Sequence, residues 1–472
     1  MLGNKKVIGL CVTKIHDRVR AALADEVNLA AVEQGYKLIC FNSIEDFYRD
    51  DVYSKGAKTI YDRMDLNMLD GLIVCQEHFC NQRIVEEIID RAAKKQIPTV
   101  ILNGEAKGCV SVINDCKDAF KDMIRHIIRV HHVNDLYFLA GRLGDHNSEE
   151  RLEYFREVME ECGLAVRDDR IGYGDYWDEP AMRITEDLVV NGKLPRAIIC
   201  ANDNMAFGVC KKLKMLGYSV PEDVIVTGFD GIPAVEYFYP KLTTCRENWE
   251  EQAKTCVEVL RKLFAGEPVQ QTYRIPYGNK YAESCGCEKP KLIQRDEAAA
   301  ELFSLLESME AHEDYVTSET EKMLNIEDVN DLMGPLSRFI LSNSWLCVSS
   351  KFMKLATVEG WEDGRMIVVP SMYGQDRELR YINDDDMLPE TWEWAEDDSC
   401  YVLTSVYSKD SFCGYYAVKT TYVGGIGYKM KKIVRLANLV CNSLINQFKQ
   451  REMMRNMEGA IYRDTLTGLP TL

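Results

Sequence analysis

The run ICANDNMAFGVCKKLKMLGYSVPEDVIVTGFDGIPAVEYFYPKLTT, Ile199 to Thr244, decides the predicted fold. It begins with a short apolar segment and continues with a helical pattern from Met205 to Leu216, which a glycine ends. A second apolar segment, VIVTGFD, follows soon after. Two strands joined by a helix of this length indicate a right-handed βαβ unit in a parallel sheet.

The same alternation extends over roughly the first 285 residues. Further strand-like runs are KKVIGLCVT, YKLICFNS, DGLIVC, IPTVILN and DLYFLAG, and helical patterns recur along the series. These runs are almost wholly apolar, which is typical of parallel strands that are covered on both faces. The series breaks near His131 and His132. We therefore predict an α/β fold of two consecutive Rossmann-like lobes.

Polar side chains collect at the predicted carboxyl ends of these strands. They are Thr13 to His16, Gln76 and Glu77, Asn103, Asn114 and Asp115, Asn202 and Asp203, and Asp230. Any one of them can simply cap the helix that follows. Six such strand ends together are better explained by a ligand cleft, because ligands of open α/β sheets bind outside the carboxyl ends of the strands.

A family resemblance supports this interpretation. The ordered motifs A-N-D-x-M-A-x-G, G-x-x-V-P-x-D-V-x-V-x-G-F-D and P-x-L-T-T resemble the sensor core of LacI-type regulators and type I periplasmic binding proteins. DGLIVC, IPTVILN and EERLEYF fit the same layout, and the resemblance covers roughly residues 5 to 285. It implies two lobes joined by three crossings, a small molecule bound between them, and lobe closure as the output.

The resemblance also implies positions that contact the ligand. They are His16, Arg18, Asn103, Asn114, Tyr176, Asn202, Asp203, Phe229, Asp230 and Glu247. Tyr176, or Trp177 beside it, can stack on a sugar or base while amides and carboxylates bond its hydroxyl groups. Ordinary packing of the lobe explains both aromatic residues equally well.

Two positions depart from the sugar-binding relatives. Glu149 stands where many of them have arginine, and Glu247 stands where they often have glutamine. An acidic lining disfavours anionic ligands, because an unpaired carboxylate repels a phosphate. We therefore predict a neutral or cationic polar ligand, namely a sugar, a nucleoside or an amine.

Composition limits the remaining possibilities. The net charge of −18 argues against a broad nucleic-acid surface. The amino terminus has no signal peptide and no apolar run is long enough to cross a bilayer, so we predict a cytoplasmic protein without membrane contact. The 17 cysteines are interpreted as reduced thiols. Cys285 and Cys287 can be a metal or redox pair, but no nearby histidine completes a site, so no metal is predicted.

The C-terminal half has a different pattern. We predict lobe 1 at residues 5–132 and 246–268, lobe 2 at 133–245 and 269–285, a helical connector at 286–325 and an α+β domain at 326–445. The order of elements in this last domain resembles a GAF domain, and a PAS-like module is the competing interpretation. A signalling helix at 446–463 follows, and its three-and-four spacing of apolar residues predicts a homodimer through the C-terminal helices.

The last residues suggest an output. D-x-L-T-G-L-P at Asp464 to Pro470 resembles the opening of GGDEF domains, although Thr471 and Leu472 depart from the usual Asn-Arg. The resemblance implies the sensory portion of a diguanylate cyclase, in which helix geometry controls synthesis of cyclic di-GMP. GTP and Mg²⁺ are expected only for a catalytic GGDEF domain outside this chain, and no cofactor within it.

Two other functions are considered. One is a stand-alone binding regulator that acts through protein partners. A helix-turn-helix headpiece is not expected, because the first strand begins by residue 6. The other is an enzyme that uses the cleft, which is disfavoured because no serine or cysteine nucleophile sits in a recognised elbow beside a base.

Overall fold

The computed structural model describes residues 5–289, 317, 320–324, 340–349, 365–370, 380–383 and 397–461. The chain forms two compact units. The first contains Met1–Val112, Ala253–Gln271 and Asp296–Leu472, and the second contains Ile113–Gln252 and Thr272–Arg295. The first boundary between these units follows Val112, and the domain bounds suggested by the sequence stay a prediction.

The first unit begins as a parallel α/β sheet. Its strands are β1 (Val7–Thr13), β2 (Lys37–Ser43), β3 (Gly71–Cys75), β4 (Thr99–Leu102) and β5 (Val110–Asp115), the last reaching past the boundary. Its helices are α1 (Arg18–Glu33), α2 (Val52–Asp62), α3 (Gln76–Phe79) and α4 (Gln82–Lys94). All seven residues of β1 and all seven of β2 are buried, which explains why these runs lack polar alternation.

The second unit is a second α/β sheet. Its helices are α5 (Lys117–Arg129), α6 (His146–Glu161), α7 (Asp178–Val190) and α8 (Asp203–Met215). Its strands are β6 (Leu136–Ala140), β7 (Ile171–Tyr173), β8 (Ala197–Cys200), β9 (Ile225–Asp230), β10 (Thr243–Arg246), β11 (Thr272–Pro276) and β12 (Gly278–Lys280). The sheet has the order β12-β10-β9-β8-β6-β7 and is parallel except for β12. Helix α9 (Trp249–Ala265) starts in this unit and continues in the first.

The described C-terminal strands extend the sheet of the first unit. They are β13 (Ser344–Ser349), β14 (Arg365–Pro370), β15 (Arg380–Asn383), β16 (Cys400–Ser408) and β17 (Ser411–Thr420). Strand β16 pairs parallel to β2, so this sheet has eleven strands in the order β11-β5-β4-β3-β1-β2-β16-β17-β13-β14-β15. Strands β16 and β17 form an antiparallel hairpin that turns at Lys409 and Asp410. We predict this region as a separate domain from its sequence. Hydrogen bonding between β2 and β16, which lie far apart in the chain, leaves no local pattern in the sequence.

The last described helix is α10, Gly427–Ile461, which begins well before the predicted signalling helix at 446–463. In its first half Met430, Val434, Val440 and other apolar residues are buried, whereas Met453, Met454 and Met457 are exposed. The predicted helical connector at 286–325 lies largely outside the described residues, and the motif at Asp464 to Pro470 lies wholly outside them. None of the described helices is long and apolar enough to cross a membrane.

Short 3-10 turns complete the described structure. They are Leu66–Met68, Asp168–Arg170, Pro233–Glu236, Glu283–Cys285 and Val423–Gly425.

Candidate ligand-binding site

The carboxyl ends of the second unit's strands carry most of the predicted site residues. Asn114, Tyr176, Asn202, Asp203, Phe229, Asp230 and Glu247 lie there, at or just beyond the ends of β5, β7, β8, β9 and β10. His16, Arg18 and Asn103 belong to the first unit. The structure therefore groups the predicted residues into a larger and a smaller set, each in its own unit.

Arg151 lies beside the residues of the larger set and carries a positive charge. The sequence analysis did not predict it as a site residue. Its guanidinium lies 3.7 Å above the centroid of the Phe229 ring, and its Nη1 donates a hydrogen bond of 2.8 Å to the carbonyl of Ala201. Burial is the largest single influence and lowers the pKa of Arg151, but Asp230, Tyr176, Tyr277 and Cys116 together raise it above its ordinary value. The cation is therefore held in place by an aromatic face, a carbonyl and a carboxylate.

Glu149 is bonded to the backbone just before its own helix, and its contact with the ligand stays a prediction. Its carboxylate accepts a hydrogen bond of 2.9 Å from the backbone N–H of Gly144, just before its own helix. Arg151 follows Glu149 by two positions on α6. Because each position turns the helix by about 100°, the two side chains leave α6 in nearly opposite directions. The motif EERLEYF contains Arg151 two residues after Glu149.

Both carboxylate oxygens of Glu247 accept hydrogen bonds, so this carboxylate is not unpaired. Its Oε2 accepts hydrogen bonds from Asn114 Nδ2 (3.0 Å), Trp249 Nε1 (3.2 Å) and Gln252 Nε2 (3.3 Å). Its Oε1 accepts one of 3.1 Å from the hydroxyl of Tyr277. Four uncharged donors satisfy the oxygens of this carboxylate, so the premise that it is unpaired is wrong.

Gln252 adds a polar atom that the structure leaves without a partner. This side chain is fully buried, and among the described residues no hydrogen bond reaches its Oε1. An unsatisfied buried carbonyl costs about 1–3 kcal/mol. Such an atom beside the Glu247 network is therefore a natural acceptor for a buried water molecule.

Two residues of the larger set have strained backbones. Tyr176 has φ +65° and Asp230 has φ +110°, values that are uncommon for residues other than glycine. The Tyr176 ring lies against Gly141, where a Cβ atom would be 2.1 Å from the ring, and its hydroxyl donates a 2.7 Å hydrogen bond to Asp145. Asn202 Nδ2 donates to the carbonyl of Tyr176 at 3.1 Å. Strain that is held in this way is typical of functional sites.

Asp203 and Phe229 support the site from within. Both are fully buried, so neither offers a surface to a ligand in this structure. Asp203 accepts hydrogen bonds from Thr244 Oγ1 at 2.7 Å and from the backbone N–H of Ile232 at 2.9 Å. It thereby fixes the loop that follows Asp230, and burial raises its pKa to about 7. Phe229 stacks on Tyr277 with ring centroids 5.1 Å apart.

Replacing Asp203 by asparagine is expected to flatten the pH dependence of stability. The folded protein holds the Asp203 proton up to about pH 7, whereas the unfolded chain releases it near 3.8. This group therefore stabilises the fold fully at low pH and loses that contribution as pH rises to about 7, on the order of 2–4 kcal/mol. Asparagine imitates the protonated acid: its amide donates to Thr244 Oγ1 and its carbonyl accepts from Ile232.

Denaturant unfolding at pH 5 and pH 7.5 measures this effect. The free energy of unfolding of the wild type should fall more between the two values than that of Asp203→Asn. The control is Asp187→Asn, an exposed carboxylate on α7 of the same unit. An equal fall for wild type and Asp203→Asn would show that Asp203 does not retain its proton.

The smaller set follows β1 and β4 of the first unit. Arg18 is exposed, and Asn103 has φ +52° with its N–H bonded to the carbonyl of Val112 at 2.9 Å. The first turn of α10 covers His16, because a Cβ atom at Gly427 would be 2.8 Å from the Cα of His16. Burial, together with the charge of Lys431, lowers the pKa of His16 to about 4. The predicted contact position after β1 is thus packed against the C-terminal helix.

Comparison with known proteins supports the sensor fold. Residues 124–285 match the family described as a periplasmic binding protein-like domain. The HTH-type transcriptional repressor PurR of Vibrio campbellii is 27% identical over 261 residues, which are 54% of this chain and 74% of the repressor. PurR of Haemophilus influenzae is 27% identical over 277 residues, 58% of this chain and 79% of that protein. The predicted periplasmic-binding-protein-like sensor domain of the LacI type is confirmed, and with it the α/β fold of two lobes.

Solved structures with a similar fold include two regulators. The Lac repressor dimer bound to operator and the anti-inducer ONPF has a TM-score of 0.48 and 19% identity, over 60% of this chain and 95% of that one. The transcriptional regulator CelR in complex with cellobiose has a TM-score of 0.46 and 18% identity, over 60% of this chain and 85% of that one.

These findings correct the predicted output. The curated relatives are transcriptional repressors, so the prediction of a diguanylate cyclase sensor that controls cyclic di-GMP is wrong. The exclusion of nucleic acid as a partner is wrong for the same reason. A net charge averaged over the whole chain does not describe the local charge of a DNA-binding surface. The GGDEF resemblance rests on a short motif outside the described residues.

Proposed function

We propose that this chain senses a small neutral metabolite for a transcriptional regulator of the LacI and PurR type. The observation that carries the proposal is Arg151, held over Phe229 beside Asp230 at the carboxyl edge of the second unit's sheet. The repressors that this chain resembles support the regulatory role. DNA is accordingly the proposed target of the regulator.

The chemistry of the larger set favours a sugar or a nucleoside. Arg151 offers several donors, while the carboxylate of Asp230 offers acceptors. Adjacent donors and acceptors suit neighbouring hydroxyl groups, and the Tyr176 ring can cover an apolar face. The positive charge of Arg151 removes the reason to favour an amine, so amines drop out of the proposed ligand classes.

The C-terminal half supplies the proposed connection to a second subunit. The antiparallel order of β13 to β17 with α10 beside it supports a GAF-like description of this region. The exposed methionines Met453, Met454 and Met457 offer an apolar stripe for a homodimer. A cytoplasmic location follows from the proposed contact with DNA.

A ligand screen on the full chain tests the proposal. Thermal unfolding is measured with panels of sugars, nucleosides, nucleobases and amines, and each hit is confirmed by isothermal titration calorimetry. A sugar or nucleoside should raise the unfolding temperature of the wild type. The same ligand should leave the unfolding temperature of Asp230→Asn unchanged. The matched control is Asp187→Asn, which should respond like the wild type. Binding of amines alone, or unchanged binding by Asp230→Asn, would contradict the proposed site.

A second experiment tests the regulatory role. Genomic DNA fragments of the source organism are selected on the immobilised full chain, with and without the confirmed ligand. Enrichment of specific fragments that changes with the ligand supports a transcriptional regulator. A ligand that binds well while no fragment is enriched would contradict DNA as the target and leave the ligand site intact.

A further inference from the structure

Four metal-ligating side chains meet in the second unit, away from the ligand-binding set. They are His126 in the last turn of α5, His131 just after that helix, and Cys285 and Cys287 beyond β12. Their ligating atoms all lie within 4.8 Å of one another. The sequence analysis considered the cysteine pair but found no histidine near it in the sequence. The fold brings the two histidines to the pair.

The distances resemble the edges of a coordination tetrahedron. Cys287 Sγ lies 3.1 Å from His126 Nε2 and 3.4 Å from His131 Nε2, and the two histidine Nε2 atoms are 3.1 Å apart. Tetrahedral zinc with bonds of about 2.3 Å to sulfur and about 2.0–2.1 Å to nitrogen places its ligands about 3.3–3.8 Å apart. Small side-chain movements therefore suffice to admit the ion.

The backbone that presents the cysteines is fixed before any metal binds. Gly286 has φ +90°, and its N–H bonds to the carbonyl of Glu283 at 2.9 Å. Ser284 Oγ accepts from the N–H of Thr243 at 2.8 Å and donates to the carbonyl of Val226 at 2.6 Å. These bonds attach the segment to β9 and β10. A rigid turn is what a preorganised metal site requires.

The histidines are also held by their surroundings. The His126 ring stacks on Tyr281, with centroids 4.0 Å apart and an angle of 28° between the planes. His126 and His131 are separated by four residues, a spacing common in zinc sites, while the single residue between the cysteines is shorter than usual. Gly286 compensates for this short spacing, because its positive φ allows the sharp turn that brings both sulfur atoms to one side.

We propose that His126, His131, Cys285 and Cys287 bind one structural Zn²⁺ ion. Two thiolates and two neutral imidazoles form a tetrahedral S₂N₂ set, which selects zinc over the hard cations that prefer oxygen. The two thiolates neutralise the charge of the ion. Four protein ligands leave no open position for water or substrate, so the role is structural and not catalytic. The ion fastens the segment after β12 to the end of α5.

Metal content of the full chain tests the proposal. The protein is purified under reducing conditions, incubated with excess Zn²⁺, desalted and analysed by inductively coupled plasma mass spectrometry. The wild type should retain one equivalent of zinc per chain. Cys287→Ser should retain less than about 0.1 equivalent, because loss of a thiolate ligand greatly weakens binding. Cys80→Ser, which alters another exposed free cysteine in the first unit, should retain one equivalent.

Cobalt substitution gives a second readout. Co²⁺ added to the metal-free wild type should produce intense ligand-field bands and thiolate-to-cobalt charge transfer, and His131→Ala should lack these tetrahedral bands. Circular dichroism establishes that each variant is folded, and Cys287 is exposed, so its replacement by serine leaves the core unchanged. No retained metal in the wild type, equal zinc in Cys287→Ser, or a Cys285–Cys287 disulfide in protein isolated under reducing conditions would overturn the proposal.

Discussion

Replacing Arg151 by methionine is expected to weaken effector binding by about 30-fold or more without unfolding the chain. The guanidinium is fixed over Phe229 and bonded to the carbonyl of Ala201, so it is oriented before a ligand arrives. Methionine keeps much of the packing on the ring but offers no donor. The loss of a charged hydrogen bond accounts for about 2 kcal/mol, which is about 30-fold in affinity.

A double-mutant cycle separates binding from stability. Arg151→Met leaves the Asp230 carboxylate without its cation, so the unfolding temperature should also fall. Adding Asp230→Asn removes the uncompensated charge and should restore part of the stability, whereas binding should stay weak. Arg156→Met on the exposed face of the same helix is the control and should bind like the wild type. Calorimetric affinity of Arg151→Met within a few-fold of wild type would refute the assigned role.

The strands and the caps of the sensor could be predicted because their signals are local. A parallel strand buried on both faces needs a continuous apolar run, as VIVTGF at β9 has. Asn202 was placed at a strand end from its motif, and the structure shows it as the N-cap of α8, accepting a hydrogen bond from Met205. The role of a strand residue or of a helix N-cap depends on neighbours only a few positions away in the sequence.

The features that we did not predict from the sequence depend on contacts between residues far apart in the chain, or on the exact position of a residue along its helix. Glu149 and Arg151 are two residues apart, yet on a helix that difference decides which side chain reaches Phe229. His126 and Cys287 are 161 positions apart, and Asn42 and Thr404, which join β2 to β16, are 362 apart. No periodicity within a window of the sequence can reveal such pairs. A single sequence also gives no direct sign of whether a C-terminal strand starts a new sheet or extends an old one.

Replacing Gly56 by alanine is expected to loosen the junction between α2 and the C-terminal hairpin. A Cβ atom at this position would lie 2.1 Å from the backbone carbonyl of Lys409 and 2.4 Å from Tyr407 Cδ2. Alanine ordinarily stabilises a helix interior relative to glycine by about 1 kcal/mol. Here overpacking dominates, because a backbone carbonyl cannot move to another rotamer, and we expect a net loss of about 2–3 kcal/mol.

Hydrogen–deuterium exchange locates the effect. Exchange in β16 and β17 should rise in Gly56→Ala, while exchange in β8 of the second unit should stay unchanged and serves as the internal reference. Lys55→Ala, at the exposed neighbouring position of α2, is the control for helix propensity and should be at least as stable as the wild type. Adding Tyr407→Ala should not restore stability, because the clash with the Lys409 carbonyl persists. Wild-type exchange in β16 of Gly56→Ala would mean that the hairpin does not pack on α2 as the structure shows.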